Sequence, residues 1–182
     1  MEMEKCLLGR QPILDRKEQV CAYELLFRSS HSLHANIFDH SVASAKVILN
    51  MLSGFGVQEI LGGLRGFINV ELDLLMNETL ELLPKNVIGL ELLESLEVTP
   101  ALIQRCHELK QAGFVLSLDD HLFEPSYEPL YPLVDMVKVD LFVTPVKALT
   151  ARLQKLRKYP LKLLAEKIET HQVFQECFDA GF

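Results

Sequence analysis

The sequence lacks the marks of several functional classes. Its four cysteines, Cys6, Cys21, Cys106 and Cys177, are scattered and form no C-x-x-C pair. That removes a disulfide framework and a cysteine zinc site, and fits reduced thiols in the cytoplasm. His31, His34, His40, His107, His121 and His171 show no metal-type spacing either. No apolar run approaches the roughly 20 residues of a membrane span, and Met1-Glu2-Met3-Glu4-Lys5 lacks the apolar stretch of a signal peptide. Basic residues are short, 18 Lys and Arg against 25 Asp and Glu, a net charge of −7. Neutralising a phosphate backbone takes clustered Lys and Arg, so polymeric nucleic acid is a poor partner; a small nucleotide is not excluded. Repeats, low-complexity tracts and linkers are absent as well. What remains is 182 residues, 49% hydrophobic, enough for a real core and suited to one soluble domain.

The order of elements is legible from periodicity. Cys6 to Leu14 and Val20 to Phe27 are strand-like around the polar turn Asp15-Arg16-Lys17-Glu18, and a directly connected hairpin is antiparallel. Val42, Ala45, Ile48, Leu49 and Leu52 then stand at helical spacing, with Gly54 and Gly56 as a stop. Helix and strand alternate from there: strand 66–70, a short helix 72–76, strand 87–92, helix 100–111, strand 114–119, strand 136–140, helix 146–158, strand 161–167 and helix 171–180. Pro125, Pro129 and Pro132 limit the segment before strand 136–140 to a loop with short helical turns. Such alternation predicts a mostly parallel α/β sheet, closed or covered by helices. Seven strands fall one short of an eight-stranded barrel, and Gly181-Phe182 reads as a helix end leading into a further strand.

The strongest polar residues fall where apolar runs end: Tyr23-Glu24, Phe67-Ile68-Asn69, Leu90-Glu91, Leu118-Asp119-Asp120, Val137-Lys138-Val139-Asp140 and Leu164-Ala165-Glu166. In a barrel of parallel strands the carboxyl ends open onto one face, so residues placed there converge. Clustered acids suit divalent metal and a phosphate-bearing substrate, because the metal offsets their mutual repulsion and the charge of the substrate. The bland alternatives are solvated loop residues or helix caps for single acids, and a structural salt bridge for Lys138.

In order and spacing these motifs resemble the EAL domain family of bacterial cyclic di-GMP phosphodiesterases, and most of all the branch in which an EAL domain precedes an HDOD domain. The resemblance covers nearly the whole chain. It rests on Arg10-Gln11-Pro12-Ile13, Tyr23-Glu24-Leu25-Leu26-Phe27-Arg28, Phe67-Ile68-Asn69-Val70, Glu91-Leu92-Leu93-Glu94, Leu118-Asp119-Asp120, Val137-Lys138-Val139-Asp140 and Leu164-Ala165-Glu166-Lys167-Ile168-Glu169-Thr170. It implies a modified TIM (β/α)8 barrel with an antiparallel first strand, whose last strand would begin just past Phe182. It also implies that Glu24, Asn69, Glu91 and Asp119 hold one Mg²⁺ or Mn²⁺, and that Asp119, Asp120 and Glu166 hold a second. Lys138 and Glu166 would orient or deprotonate the attacking water. Gln11 would meet a guanine, Arg28 a phosphate, and Asp140 would also belong to the substrate site. Glu94 and Glu169 would support the loop after the fifth barrel strand.

The implied reaction is hydrolysis of cyclic di-GMP to linear pGpG in a cytoplasmic, self-associating signalling protein with an HDOD domain to follow. A second class stays open, a catalytically silent sensor of cyclic di-GMP or a protein-interaction scaffold. An unrelated barrel enzyme acting on another phosphate ester is a third. One departure bears on the choice. Family members follow the Asp-Asp pair with a Phe-Gly-Thr-Gly-type loop, whereas this chain reads His121-Leu122-Phe123-Glu124-Pro125-Ser126-Tyr127. Without glycine the loop is expected to take a different path, which bears on the second metal and on dimer contacts.

Overall fold

A computed structural model describes residues 6–29, 48, 56–121 and 123–182. The helix expected around Val42 to Leu52 lies outside the described residues apart from Ile48, which is helical and buried. The chain divides into two compact units, Met1–Gly89 and Leu90–Phe182.

In the first unit, β1 (Cys6–Leu14) and β2 (Val20–Ser29) form the expected antiparallel hairpin, with Gln11 opposite Glu24 and a register shift at Ile13/Leu14. Asp15 builds the turn: its carboxylate accepts from the N–H groups of Lys17 (2.8 Å) and Gln19 (2.9 Å), the local side-chain capture that makes Asp a turn residue. α1 (Val57–Leu61) follows Gly56, whose φ is 78°. The sequence reading passed over this short helix; its only trace is the spacing of Val57, Ile60 and Leu61. β3 (Arg65–Val70) then runs parallel to β2, with Glu24 beside Phe67 and Leu25 beside Ile68. α2 (Leu72–Leu75) and a 3-10 turn (Glu78–Leu82) lead towards β4 (Ile88–Leu92), within which the division between units falls. Leu25, Phe67, Ile68, Val70, Leu75, Leu80 and Ile88 are buried.

The second unit takes β4 onward from Leu90. α3 (Pro100–Ala112) has the start and stop written into its sequence. Thr99 Oγ1 accepts from Leu102 N–H at 3.2 Å, and Pro100 stands in the first turn. Gly113 ends the helix at φ 98°, a left-handed cap that other residues take only at a cost. β5 (Val115–Leu118), a 3-10 segment (Pro125–Leu130), β6 (Met136–Asp140), α4 (Val146–Leu156), β7 (Lys162–Glu166) and α5 (His171–Ala180) complete the unit. β5, β6 and β7 are parallel in chain order, with Leu118 beside Val137, Lys138 beside Leu164 and Asp140 beside Glu166. Every residue of β6 is buried, as expected of a strand covered on both faces. Lys138 and Asp140 are the exceptions in chemistry rather than in burial.

Candidate active site

The period of two along a strand puts Met136, Lys138 and Asp140 on one face of β6 and Val137 and Val139 on the other. Lys138 therefore enters the interior with its side chain only 2% exposed. It has three carboxylate neighbours: Asp119 at 2.7 Å, Glu166 at 3.0 Å and Glu91 at 3.1 Å. An ammonium has three donors, and each meets an acid from a different strand end. Glu91 lies in β4 and is wholly buried; Asp119 directly follows β5, its N–H bonded to Leu92 O at 2.9 Å; Glu166 is the last residue of β7. Burying so much charge requires this pairing, because an unpaired ion in the interior costs several kcal/mol.

Asp119, Asp120 and Glu166 each present an oxygen within 4.8 Å of the others. Burial pushes the Glu166 carboxyl up to about 7; Lys138 pulls it down, and the neighbouring Asp119 and Asp120 add to the rise. Asp120 stands in the left-handed region at φ 36°, and its Oδ1 is buried without a hydrogen-bond partner. Hard oxygens, close together and partly unsatisfied, fit a divalent cation such as Mg²⁺ or Mn²⁺.

Asp140 lies beside this group and is bonded to Lys167 and to the N–H of Phe142 (2.8 Å). Burial alone would raise the Asp140 carboxyl, but the Lys167 ammonium and the Phe142 amide together hold it below the usual carboxylate range.

The first unit carries its own pair. Glu24 of β2 pairs in register with Phe67, and Asn69, two residues further along β3, donates from Nδ2 to Glu24 Oε1 at 3.4 Å. That leaves Asn69 Oδ1 buried with no hydrogen-bond partner, another oxygen suited to a cation. Gln11 is exposed on β1 opposite Glu24. Arg28 lies in β2 opposite Leu7, its side chain outside the described residues.

Glu94 and Glu169 are exposed. Position 94 reaches the following loop through its backbone, its carbonyl accepting from Tyr127 Oη at 2.9 Å. Glu169 precedes Thr170, whose hydroxyl caps α5. Sequence marks His121 as a loop variant beside the site but gives no sign of its contacts. His121 is buried, with Nε2 2.9 Å from Tyr131 Oη and its ring against Phe123, Tyr127 and Tyr131. Burial lowers its pKa to about 4, so it is a neutral anchor. Nor does periodicity announce the contacts of Lys167.

No family model matches the chain. Among curated proteins it is 35% identical over 184 residues to the uncharacterized protein YuxH of Bacillus subtilis (strain 168), covering 98% of this chain and 45% of that protein. It is 31% identical over 180 residues to the cyclic di-GMP phosphodiesterase CdgJ of Vibrio cholerae, covering 96% of this chain and 41% of that one. Among solved structures, the manganese/cyclic di-GMP complex of Klebsiella pneumoniae BlrP1 matches with a TM-score of 0.74 at 18% identity, over 97% of this chain and 53% of that one. The EAL domain of Mycobacterium smegmatis DcpA gives 0.72 at 21% identity, over 97% and 88%. The chain has the fold of the EAL domains. Its α/β fold is accordingly the EAL-type modified TIM barrel foreseen from the ordered motifs. The chain spans less than half the length of the curated relatives it matches.

Proposed function

We propose that this chain is an EAL domain that hydrolyses one phosphodiester bond of cyclic di-GMP, giving linear pGpG. The observation that carries the proposal is the Lys138 hub, which gathers the ends of β4, β5 and β7 into a single carboxylate group. By the family resemblance, Glu24, Asn69, Glu91, Asp119, Asp120 and Glu166 serve as the metal ligands. When bound, Mg²⁺ or Mn²⁺ would supply Lewis acidity and charge neutralisation at the phosphoryl group.

The chain's own residues do the rest. Lys138 holds Glu91, Asp119 and Glu166 in position; with its three donors already directed at carboxylates, it orients rather than abstracts a proton. Glu166, at the edge of the group, takes the proton of the attacking water. Gln11 meets a guanine, Arg28 a phosphate, and Asp140 borders the substrate, held in place by Lys167. Glu94 and Glu169 brace the loop between Asp120 and Pro125. The family resemblance further supports self-association, a cytoplasmic location and a following HDOD domain.

The test is Mn²⁺-dependent conversion of cyclic di-GMP to pGpG by the full-length protein, with Glu24→Ala as control. Conversion lost in the variant supports the enzyme. A folded protein that binds Mn²⁺ without converting the nucleotide overturns it. Nucleotide binding that survives chelation would then favour the sensor, a reading to which the altered loop after Asp120 lends weight.

A further inference from the structure

Lys167 follows Glu166 directly, and consecutive residues of a strand point to opposite faces. Glu166 reaches Lys138, so an extended Lys167 would point away from the carboxylates. Instead its φ is 59°, a left-handed turn that non-glycine residues seldom take. The turn returns its side chain to the site, where the ammonium is bonded to Asp140 and lies 3.8 Å from Asp120 Oδ2. Lys138 is committed to Glu91, Asp119 and Glu166, which leaves Lys167 as the cation beside Asp120. Lys138 is buried, whereas the Lys167 side chain is 45% exposed.

We propose that Lys167 is a tethered counter-ion for the Asp119, Asp120 and Glu166 cation position. It balances Asp120 and Asp140 when that position lacks a divalent ion, and it competes with the ion when one binds. The inference rests on the two-cation reading above and deepens it: the two ions bind with unequal affinity, and Lys167 sets how much of the second is needed. An acid pair that would otherwise repel stays in place without metal, at the cost of weaker metal binding.

The test is titration of the full-length protein with Mn²⁺ at low salt, following the free-ion signal by electron paramagnetic resonance, for wild type, Lys167→Met, Lys167→Arg and Lys167→Gly. Removing a positive charge a few ångströms from a divalent ion in a largely hydrated setting tightens binding by about tenfold. Lys167→Met and Lys167→Gly should therefore tighten the weaker of two sites by about that factor and leave the stronger unchanged, while Lys167→Arg keeps the wild-type value. Two ions bound with the same affinities in wild type and Lys167→Met overturn the counter-ion role alone. Tightening in Lys167→Gly only would assign the effect to the backbone and also overturn it. Fewer than two ions in every protein overturns both this role and the two-cation reading.

Discussion

Replacing Lys138 by Met keeps the length of the side chain and removes the charge that three acids share. Lys138 and Glu91 are 2% and 0% exposed, and Asp119 and Glu166 are 14% and 20%. Water can therefore do little to replace the ammonium. Breaking a buried ion pair from one side costs about 3–5 kcal/mol, because it leaves uncompensated charge behind. Three acids on one lysine put Lys138→Met at the upper end of that range for metal-free protein at pH 7.5. Lys138 is also what pulls Glu166 down against burial and its acidic neighbours, so in the variant Glu166 holds its proton to higher pH. A folded state that binds more protons than the unfolded chain gains stability as pH falls. The deficit should therefore shrink from pH 7.5 to pH 5.5, and excess Mn²⁺ should reduce it at either pH. Urea denaturation of wild type and variant at the two pH values, each with chelator and with Mn²⁺, measures all four differences. A loss under about 1 kcal/mol at pH 7.5, or a deficit that widens on acidification, would refute the hub.

Two further outcomes follow from single residues. Glu166 titrates at about 7 in the folded protein against an ordinary 4.5, so its contribution is fully present below about 4.5 and is lost as pH rises through 7. The loss amounts to at most about 3 kcal/mol. Glu166→Gln should flatten the stability of metal-free protein over that window, and a wild-type slope retained in the variant would contradict the assignment. Gly89→Ala would put a Cβ 2.5 Å from Cε1 of the buried Phe67 ring, an overpacking that costs about 1–3 kcal/mol. An unchanged urea midpoint would show that the ring can step aside.

How far these features could be read in the sequence varies from residue to residue. The hairpin, the parallel strands and α3 are legible because the signals are local: alternation for the strands, Thr99, Pro100 and Gly113 for the helix. Periodicity places the ends of three elements one or two residues too far out, because it does not register where the regular hydrogen bonding stops. Helix 146–158 closes at Leu156, strand 161–167 is β7 at Lys162–Glu166, and strand 114–119 is β5 at Val115–Leu118. α1 went unseen because five residues carry barely one turn of periodicity. Among site residues, Glu91, Asp119, Lys138 and Glu166 announce themselves as polar residues ending apolar runs, and the structure brings those four together. Lys167 does not, since alternation assigns it to the opposite face and only its positive φ returns it.

The loop after Asp120 shows how a chain can hold an unusual backbone with few glycines. Asp120 and Phe123 take φ of 36° and 61°, and such conformations persist where the surroundings over-determine them. His121 is the fixed point. Its N–H donates to Lys138 O at 3.0 Å, which ties the loop to the strand carrying the ammonium hub, and its imidazole meets the Tyr131 hydroxyl among three aromatic rings. Tyr127 adds a second tie, donating to Glu94 O. Glycine would leave such a loop free to adopt the required angles; burial of a neutral histidine instead removes the alternatives. The substitution that the sequence presents as a departure is thus compatible with an ordered Asp119-Asp120 pair. The charge at that pair is set in turn by Lys138, Glu166 and Lys167, through the ion pairs that Lys138 makes with Asp119 and Glu166 and the approach of Lys167 to Asp120.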